Sequence, residues 1–76
     1  MPKLERITMN PAVMGGKPCI RGLRVTVGTI VGLLAVGKTH DEILGLYPYL
    51  QIGDINEAMA YAAWRVEEQE VALALA

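Results

Sequence analysis

The sequence contains few of the side chains from which enzyme sites, metal sites and disulfide frameworks are built. Its 76 residues include a single cysteine, Cys19, and a single histidine, His40. One cysteine cannot form an internal disulfide, and this usage fits a reducing compartment. Catalysis needs several reactive groups brought together, and no such cluster surrounds either residue in the sequence. We therefore expect a binding protein rather than an enzyme, with no metal and no cofactor.

Long hydrophobic runs are also missing. The longest uncharged stretch, residues 25–37, has 13 residues, whereas a membrane-spanning helix needs about 20. The N-terminal sequence MPKLERIT lacks the apolar region of a secretion signal. We expect a cytoplasmic protein without a membrane partner.

Each half of the chain is poor in charge of one sign. Residues 1–38 carry six cations and one carboxylate, whereas residues 39–76 carry one cation and seven carboxylates. This division permits two interpretations. Either the first half faces a polyanion or an acidic partner and the second half a basic one, or the two halves neutralise each other within the fold or a dimer.

Apolar residues are in excess for so small a domain. With glycine included and tyrosine left out, they make up about 59% of the chain, against roughly 45–50% in an average soluble protein. A domain of this size has little interior in which to bury them. We therefore expect a homodimer, in which a second copy covers part of the excess. The alternative is that the alanine-rich C-terminus raises the count without burying much.

Residues 4–25 combine a short β segment with a basic loop. Residues 4–8 alternate between apolar and polar side chains, which predicts a strand, and Cys19 and Ile20 are expected to form a second strand beside it. Gly22 is expected to turn the chain before the first helix.

Three cations of this loop are candidates for contacts with DNA phosphates or another anion: Lys17, Arg21 and Arg24. Arginine offers bidentate contacts and lysine a point charge. For Lys17 and Arg21 we favour the anion contact. For Arg24 we favour a pairing with a carboxylate of the helical half, which would fasten the N-terminal segment to the core.

Three helices are predicted after the loop, at about residues 27–36, 40–47 and 53–72. An apolar stripe with helical spacing begins at Val27. Gly37 is expected to end the first helix, since glycine readily adopts the left-handed conformation of a helix C-terminus.

Capping residues indicate where the second and third helices begin. Thr39 and Glu42 fit the S/T-x-x-E capping box, and Pro48 is expected to end the second helix. The third helix begins either at a capping box that opens with Asp54 or about three residues earlier, behind the poor N-cap Gln51. Its expected core face consists of Ile55, Ala58, Met59, Ala62, Ala63 and Val66.

Two helices joined by a short turn and preceded by a third fit the helix-turn-helix scheme. We expect a single domain over residues 1–76, mainly α, with a three-helix, helix-turn-helix-like (winged-helix or homeodomain-like) core and a short N-terminal β segment. The third helix would occupy the recognition position, where Asn56 could contact an adenine. Because Asp54 and Glu57 beside it would repel phosphates, the basic loop is expected to do much of any DNA binding.

Five positions are candidates for contacts with a second copy or another partner: Gly28, Gly32, Tyr61, Trp64 and Val71. The two glycines, four residues apart, would let another backbone approach the first helix closely. The two aromatic residues lie on a face of the third helix partly distinct from its apolar stripe, and aromatic side chains are favoured at interfaces. Val71 belongs to an acidic amphipathic end that could face a basic partner or stay solvated.

The chain as a whole resembles a known family of small bacterial and archaeal proteins. Four motifs carry the resemblance: IT-x-NP, GKP-x-I-x-G-x-R-V-x-V, T-x-x-E-I-L-x-x-YP-x-L and D-I-x-x-A-x-x-Y-A, spread over about residues 5–66. Their joint spacing is similar to that of the family called domain of unknown function 433. Gln51 departs from the pattern, which usually has a capping serine or threonine at that position.

The resemblance implies a helix-turn-helix fold. Because some members are similar to VapB-type antitoxins, it also implies an antitoxin-like regulator of a prokaryotic toxin–antitoxin pair. Such antitoxins bind promoter DNA through one part and a PIN-type ribonuclease toxin through another, often as dimers. The alternative is a homodimeric protein-interaction module that does not bind DNA.

Overall fold

Three helices and one two-stranded antiparallel sheet make up residues 4–68, the part of the chain that the computed structural model describes. The elements are β1 (Ile7–Thr8), a 3-10 turn (Met14–Gly16), β2 (Cys19–Ile20), α1 (Val27–Ala35), α2 (His40–Leu46) and α3 (Ile52–Glu68). The fold is mainly helical with a short N-terminal β segment, as the sequence predicted. Val71 and the rest of the expected extension of the third helix lie outside the described residues.

The two strands pair as expected, with Ile7 opposite Ile20 and Thr8 opposite Cys19. The chain then reverses at Arg21 and Gly22, which both have positive φ, 45° and 73°. The Leu23 amide closes this turn by donating to the Ile20 carbonyl at 2.7 Å. Positive φ at both central positions is typical of a type I′ turn, which reverses the chain directly after a strand.

Hydrogen bonds at both ends of α1 explain its length. The Thr26 hydroxyl caps the first turn by accepting from the Thr29 amide. At the other end Gly37 has φ 95°, and the amides of Gly37 and Lys38 donate back to carbonyls of the last turn. This is the Schellman arrangement, so the expected role of Gly37 is confirmed.

A complete capping box opens α2. The Glu42 amide donates to the Thr39 hydroxyl at 3.1 Å, and the Thr39 amide donates to Glu42 Oε1 at 2.9 Å. The hydrogen bond from the Thr39 amide lowers the pKa of Glu42, because it stabilises the charged carboxylate. The predicted start of this helix is therefore confirmed.

Helix α3 begins at Ile52, so the earlier of its two expected starts is the observed one. Gln51 precedes the helix, and Asp54, three residues later, supplies the carboxylate half of a capping box. That carboxylate accepts from the Gln51 amide at 2.8 Å, while the Asp54 amide donates to the Gln51 carbonyl at 2.9 Å.

The core lies where the three helices meet the sheet. Its largest fully buried apolar side chains come one each from β2, α1, α2 and α3: Ile20, Ile30, Ile43 and Ile55. Only part of the expected core face of α3 is buried, since Met59 and Val66 are 46% and 60% exposed. That expectation was too wide because the rest of the described chain covers α3 from one side.

Candidate functional site

A fully buried carboxylate, that of Asp54, lies in the first turn of α3 and has two arginine partners. Arg6 Nη1 donates to Oδ1 at 2.9 Å, and Arg21 Nη2 donates to Oδ2 at 3.1 Å. Arg21 Nε also donates to Oδ1 at 3.1 Å, so its guanidinium binds both oxygens. The backbone amide of Gln51 is the fourth donor, so the two carboxylate oxygens together accept hydrogen bonds from four donors, which is their full capacity.

The surroundings of Asp54 move its pKa in opposite directions. Burial raises the pKa by removing water from the charged form, whereas hydrogen bonds from Arg21, the Gln51 amide and Arg6 lower it. The lowering prevails, and the pKa lies below its ordinary value. Asp54 is therefore a carboxylate at neutral pH, with its charge balanced by fixed arginines.

Arg6 joins the N-terminal segment to α3 through both its main chain and its side chain. Its amide donates to Glu57 Oε1 at 3.0 Å, and its Nε lies 3.4 Å from Glu57 Oε2. Its Nη1 also donates to the side-chain oxygen of Gln51 at 2.7 Å. The guanidinium lies against Gly53, where an added Cβ would be 2.8 Å from Arg6 Cζ. This close approach is possible only because residue 53 is glycine.

Two arginines and two carboxylates thus form one charge-balanced group, the arginine–carboxylate cluster: Arg6, Arg21, Asp54 and Glu57. The sequence led us to expect that Asp54 and Glu57 would repel phosphates. In the structure each of these carboxylates has an arginine partner. The start of α3 therefore carries less uncompensated negative charge than the sequence suggested.

The three cations of the basic loop have different surroundings. Arg21, for which we favoured an anion contact, is held by Asp54. Arg24, expected to pair with a carboxylate, has no carboxylate partner within residues 4–68, and its Nη1 lies 4.0 Å from Met14 Sδ. The type I′ turn places Arg21 rather than Arg24 beside α3. Arg6 and Arg21 therefore form the ion pairs with the helical half that were expected of Arg24.

Lys17 is exposed beside the N-terminus of α1. It lines an open cleft of about 440 Å³ together with Pro18, Thr26, Gly28 and Thr29. Like Arg24, it has no carboxylate partner in the described part of the chain. These two residues are the loop cations that remain available to an external anion.

Asn56 lies on the side of α3 that faces away from the core. We call this side the outer face of α3 and define it by five exposed residues: Ile52, Asn56, Met59, Ala63 and Val66. None of the five is charged. Asn56 is therefore the one strongly polar side chain among four apolar ones.

The candidates for partner contacts differ in how much surface they offer. Gly28 and Gly32 are exposed, and a Cβ on Gly32 would meet no atom within 4 Å. Tyr61 is 8% exposed and belongs to the core, with the ring of the half-buried Trp64 5.9 Å away. The chain thus uses Tyr61 for its own packing, which leaves little of that side chain for a partner.

Arg6 is the site residue that sequence reasoning missed. It lies in the alternating pattern of residues 4–8, where an arginine is expected to face solvent, and its partners lie 48 and 51 positions further along the chain. The sequence offered one signal, Gly53. Glycine is a poor helix former, and a glycine in the first turn of a helix can mark a place where another group approaches the backbone closely.

Three structural observations bear on chemistry and location. Within residues 4–68 no three His, Cys, Asp or Glu side chains are grouped so that they could hold a metal ion. Cys19 is buried, and its thiol donates to the Lys17 carbonyl at 3.3 Å. None of the helices in this range is long and apolar enough to cross a bilayer.

Comparison with known proteins identifies the family of this chain. The model of the family described as "Protein of unknown function (DUF433)" matches residues 7–62, and the chain belongs to that family. The uncharacterized protein y4eO of Sinorhizobium fredii is 34% identical over 58 residues, which cover 76% of this chain and 26% of that protein. The chain thus spans about a quarter of this curated relative's length.

A solved structure is similar over most of the chain. The crystal structure of a DUF433 member from Anabaena variabilis has a TM-score of 0.77 and 32% sequence identity. The match covers 91% of this chain and 68% of that one. The family predicted from the four motifs is confirmed, together with the mainly helical fold.

Proposed function

We propose that the chain is an antitoxin-like regulator of a toxin–antitoxin pair. It acts as a homodimer with a helix-turn-helix-like core, in which α2 and α3 form the helical pair, and it binds DNA, a PIN-type ribonuclease toxin or both. One observation carries the DNA-binding part: the arginine–carboxylate cluster balances the charge at the start of α3, while Lys17 and Arg24 have no carboxylate partner within residues 4–68.

Lys17 and Arg24 are the residues that we assign to DNA phosphates. Both are exposed and belong to the basic loop, whereas Arg21 is held by Asp54. The five residues that define the outer face of α3 include no cation. If Asn56 contacted a base, no cation of that face would bind the neighbouring phosphates and hold the helix in place. We therefore assign DNA contact to the loop rather than to α3.

The salt dependence of DNA binding tests this assignment. If each subunit of a dimer places Lys17 and Arg24 on phosphates, about four phosphates are neutralised, and log affinity should fall with log salt at a slope of about −3.6. Affinity should then fall about 150-fold between 50 and 200 mM salt. Fluorescence anisotropy with the upstream region of the gene, and with a random duplex for comparison, measures both quantities.

Two variants complete the experiment. Replacing Lys17 and Arg24 together by glutamine should flatten the slope, while Lys38→Gln should change it little, because Lys38 is exposed outside the loop. The helical circular dichroism should stay unchanged in both. Absence of binding at low salt, or a slope that the double variant leaves unaltered, would contradict the DNA assignment.

A homodimeric protein-interaction module without DNA binding is the second candidate function. The observation that favours it is the outer face of α3, which offers large apolar side chains and no charge over residues 52–66. This module would retain dimerisation and would not bind a duplex even at low salt. Co-expression with the product of the adjacent gene tests both candidates, and a stable complex with a PIN-type nuclease would favour the antitoxin.

A further inference from the structure

The outer face of α3 has the residue spacing of a helix-pairing seam. Its members, Ile52, Asn56, Met59, Ala63 and Val66, recur at alternating intervals of four and three residues, which is the pattern of core positions in a coiled coil. The three large apolar members are 51%, 46% and 60% exposed, although the opposite side of the helix packs on the core. Residues 4–68 thus leave an apolar stripe of about four turns uncovered.

Small residues border this stripe. Ala60 lies on one side of it and the half-buried Ala62 on the other. A groove of about 350 Å³ continues the apolar surface from α3 to α1, lined by Val31, Leu34, Ala35, Met59 and Ala62. Because these bordering side chains are small or apolar, another helix can approach α3 closely without burying a charge.

The charges at the two ends of α3 indicate which partner fits. Arg6 lies at the first turn, where the helix dipole is positive, and Glu67 is exposed in the last turn. A second copy of α3 laid antiparallel brings each Glu67 to the first turn of the other helix, where Arg6 and Arg21 balance the carboxylates already present and the positive end of the helix dipole attracts a further carboxylate. A parallel arrangement would place the two Glu67 carboxylates side by side.

We propose that two copies of the chain pair through the outer faces of α3 in an antiparallel arrangement, with Met59 at the two-fold axis. Ile52 then packs on the partner's Val66. Asn56, three residues before the axis, lies opposite the partner's Ala62 and beside its Ala63, whose small side chains leave room for the hydrogen bonds of the amide. This inference rests on the homodimer of the proposed function and names the surface that forms it.

Disulfide cross-linking of single-cysteine additions tests the arrangement. The native Cys19 is 2% exposed and gives little background. Under mild oxidation Met59→Cys should cross-link with itself, because residue 59 lies at the two-fold axis. Ile52→Cys alone should not cross-link, whereas its mixture with Val66→Cys should, since these positions face each other. Met9→Cys, an exposed position outside the outer face of α3, is the control and should not cross-link.

The cross-linking outcomes separate the alternatives. Self-cross-linking of Ile52→Cys as efficient as that of Met59→Cys would show a parallel pair and overturn the antiparallel arrangement. Equal cross-linking of Met9→Cys and Met59→Cys would show random collision and would also overturn it. Failure of Met59→Cys to cross-link in a chain that sediments as a dimer would overturn the α3 surface while leaving the proposed homodimer intact.

A pair of matched substitutions tests the same surface without cysteine. Met59→Glu places two carboxylates at the two-fold axis and should weaken dimerisation at least about 100-fold in sedimentation equilibrium. Met9→Glu makes the same chemical change at a methionine of similar exposure, 55% against 46%, and should leave the dimer intact. Equal effects of the two variants would show that the outer face of α3 is not the dimer interface. A wild-type chain that is monomeric at all micromolar concentrations would overturn this inference together with the homodimer, but not the assignment of DNA contacts to the loop.

Discussion

Replacing Gly53 by alanine should act on the arginine–carboxylate cluster through Arg6 alone. The added Cβ would lie 2.8 Å from Arg6 Cζ and 2.9 Å from its Nη2. Contacts this short are not tolerated, so the guanidinium has to move. It then loses its hydrogen bonds to Asp54 at 2.9 Å and to Gln51 at 2.7 Å.

The expected magnitude follows from two opposing effects. Hydrogen bonds to charged groups contribute about 1.5–3 kcal/mol. Because the Arg6 side chain is 34% exposed, we take about 2 kcal/mol for its contacts together. Alanine in a helix is favoured over glycine by up to ~1 kcal/mol. Gly53→Ala should therefore lower the free energy of unfolding by about 1 kcal/mol, and should raise it by up to about 1 kcal/mol when Arg6 is already alanine.

A double-mutant cycle measures this reversal. Urea denaturation of the wild type, the two single variants and the double variant, at equal protein concentration, should give a coupling energy of about 2 kcal/mol. Gly45→Ala is the matched control, because Gly45 is a helical glycine whose added Cβ meets no atom within 4 Å. It should have the same effect with and without Arg6. If Gly53→Ala also has the same effect in both backgrounds, the close contact with Arg6 does not contribute to stability.

Two further predictions concern the cap of α2 and the buried carboxylate. Thr39→Ala should lower the free energy of unfolding by about 1 kcal/mol, because the box loses its side-chain hydrogen bond; an unchanged denaturation midpoint would contradict this. Because the pKa of Asp54 is lowered in the folded state, the unfolded state binds the proton more readily, so the contribution of Asp54 to stability should be complete well above its unfolded-state pKa of about 4 and should be lost as the pH falls through that value and then through the folded-state pKa. Asp54→Asn should reduce this pH dependence and destabilise the chain at neutral pH by about 2–4 kcal/mol, since two arginines lose their partner. Urea titrations at several pH values check both effects, and parallel curves for the two proteins would exclude the role of Asp54.

Local signals in the sequence predicted much of the fold. The box of Thr39 and Glu42, the helix end at Gly37 and the pairing of two short strands all depend on residues within a few positions of each other or on simple alternation. At a helix end, a short polar side chain or a glycine allows the unpaired backbone groups to form hydrogen bonds. Residue type alone therefore predicts such features. The four motifs identified the family for a similar reason, because each is a short run of residues whose order and spacing are read directly from the sequence.

The candidate site was less predictable because its contacts join distant residues. Nothing beside Arg6 or Arg21 in the sequence indicates that Asp54 is their partner, and the positive φ of Arg21 depends on the turn that brings it there. Three residues of the outer face, Met59, Ala63 and Val66, were taken for core because helical spacing alone does not show which side of a helix its neighbours cover. Ile55 and Met59 lie one helical turn apart, yet Ile55 is buried and Met59 is exposed. This difference depends on where α1 and the sheet pack against α3.

The long span of the arginine–carboxylate cluster has a consequence for folding kinetics. Its bonds join residues 48 and 33 positions apart, whereas the caps of α1 and α2 need only neighbouring residues. Contacts between distant residues form after the chain has closed a long loop, so they come late in folding. Interactions formed after the rate-limiting step slow unfolding without accelerating folding. We therefore expect the cluster to extend the lifetime of the folded state, and the local caps and the turn at Gly22 to affect how quickly that state is reached.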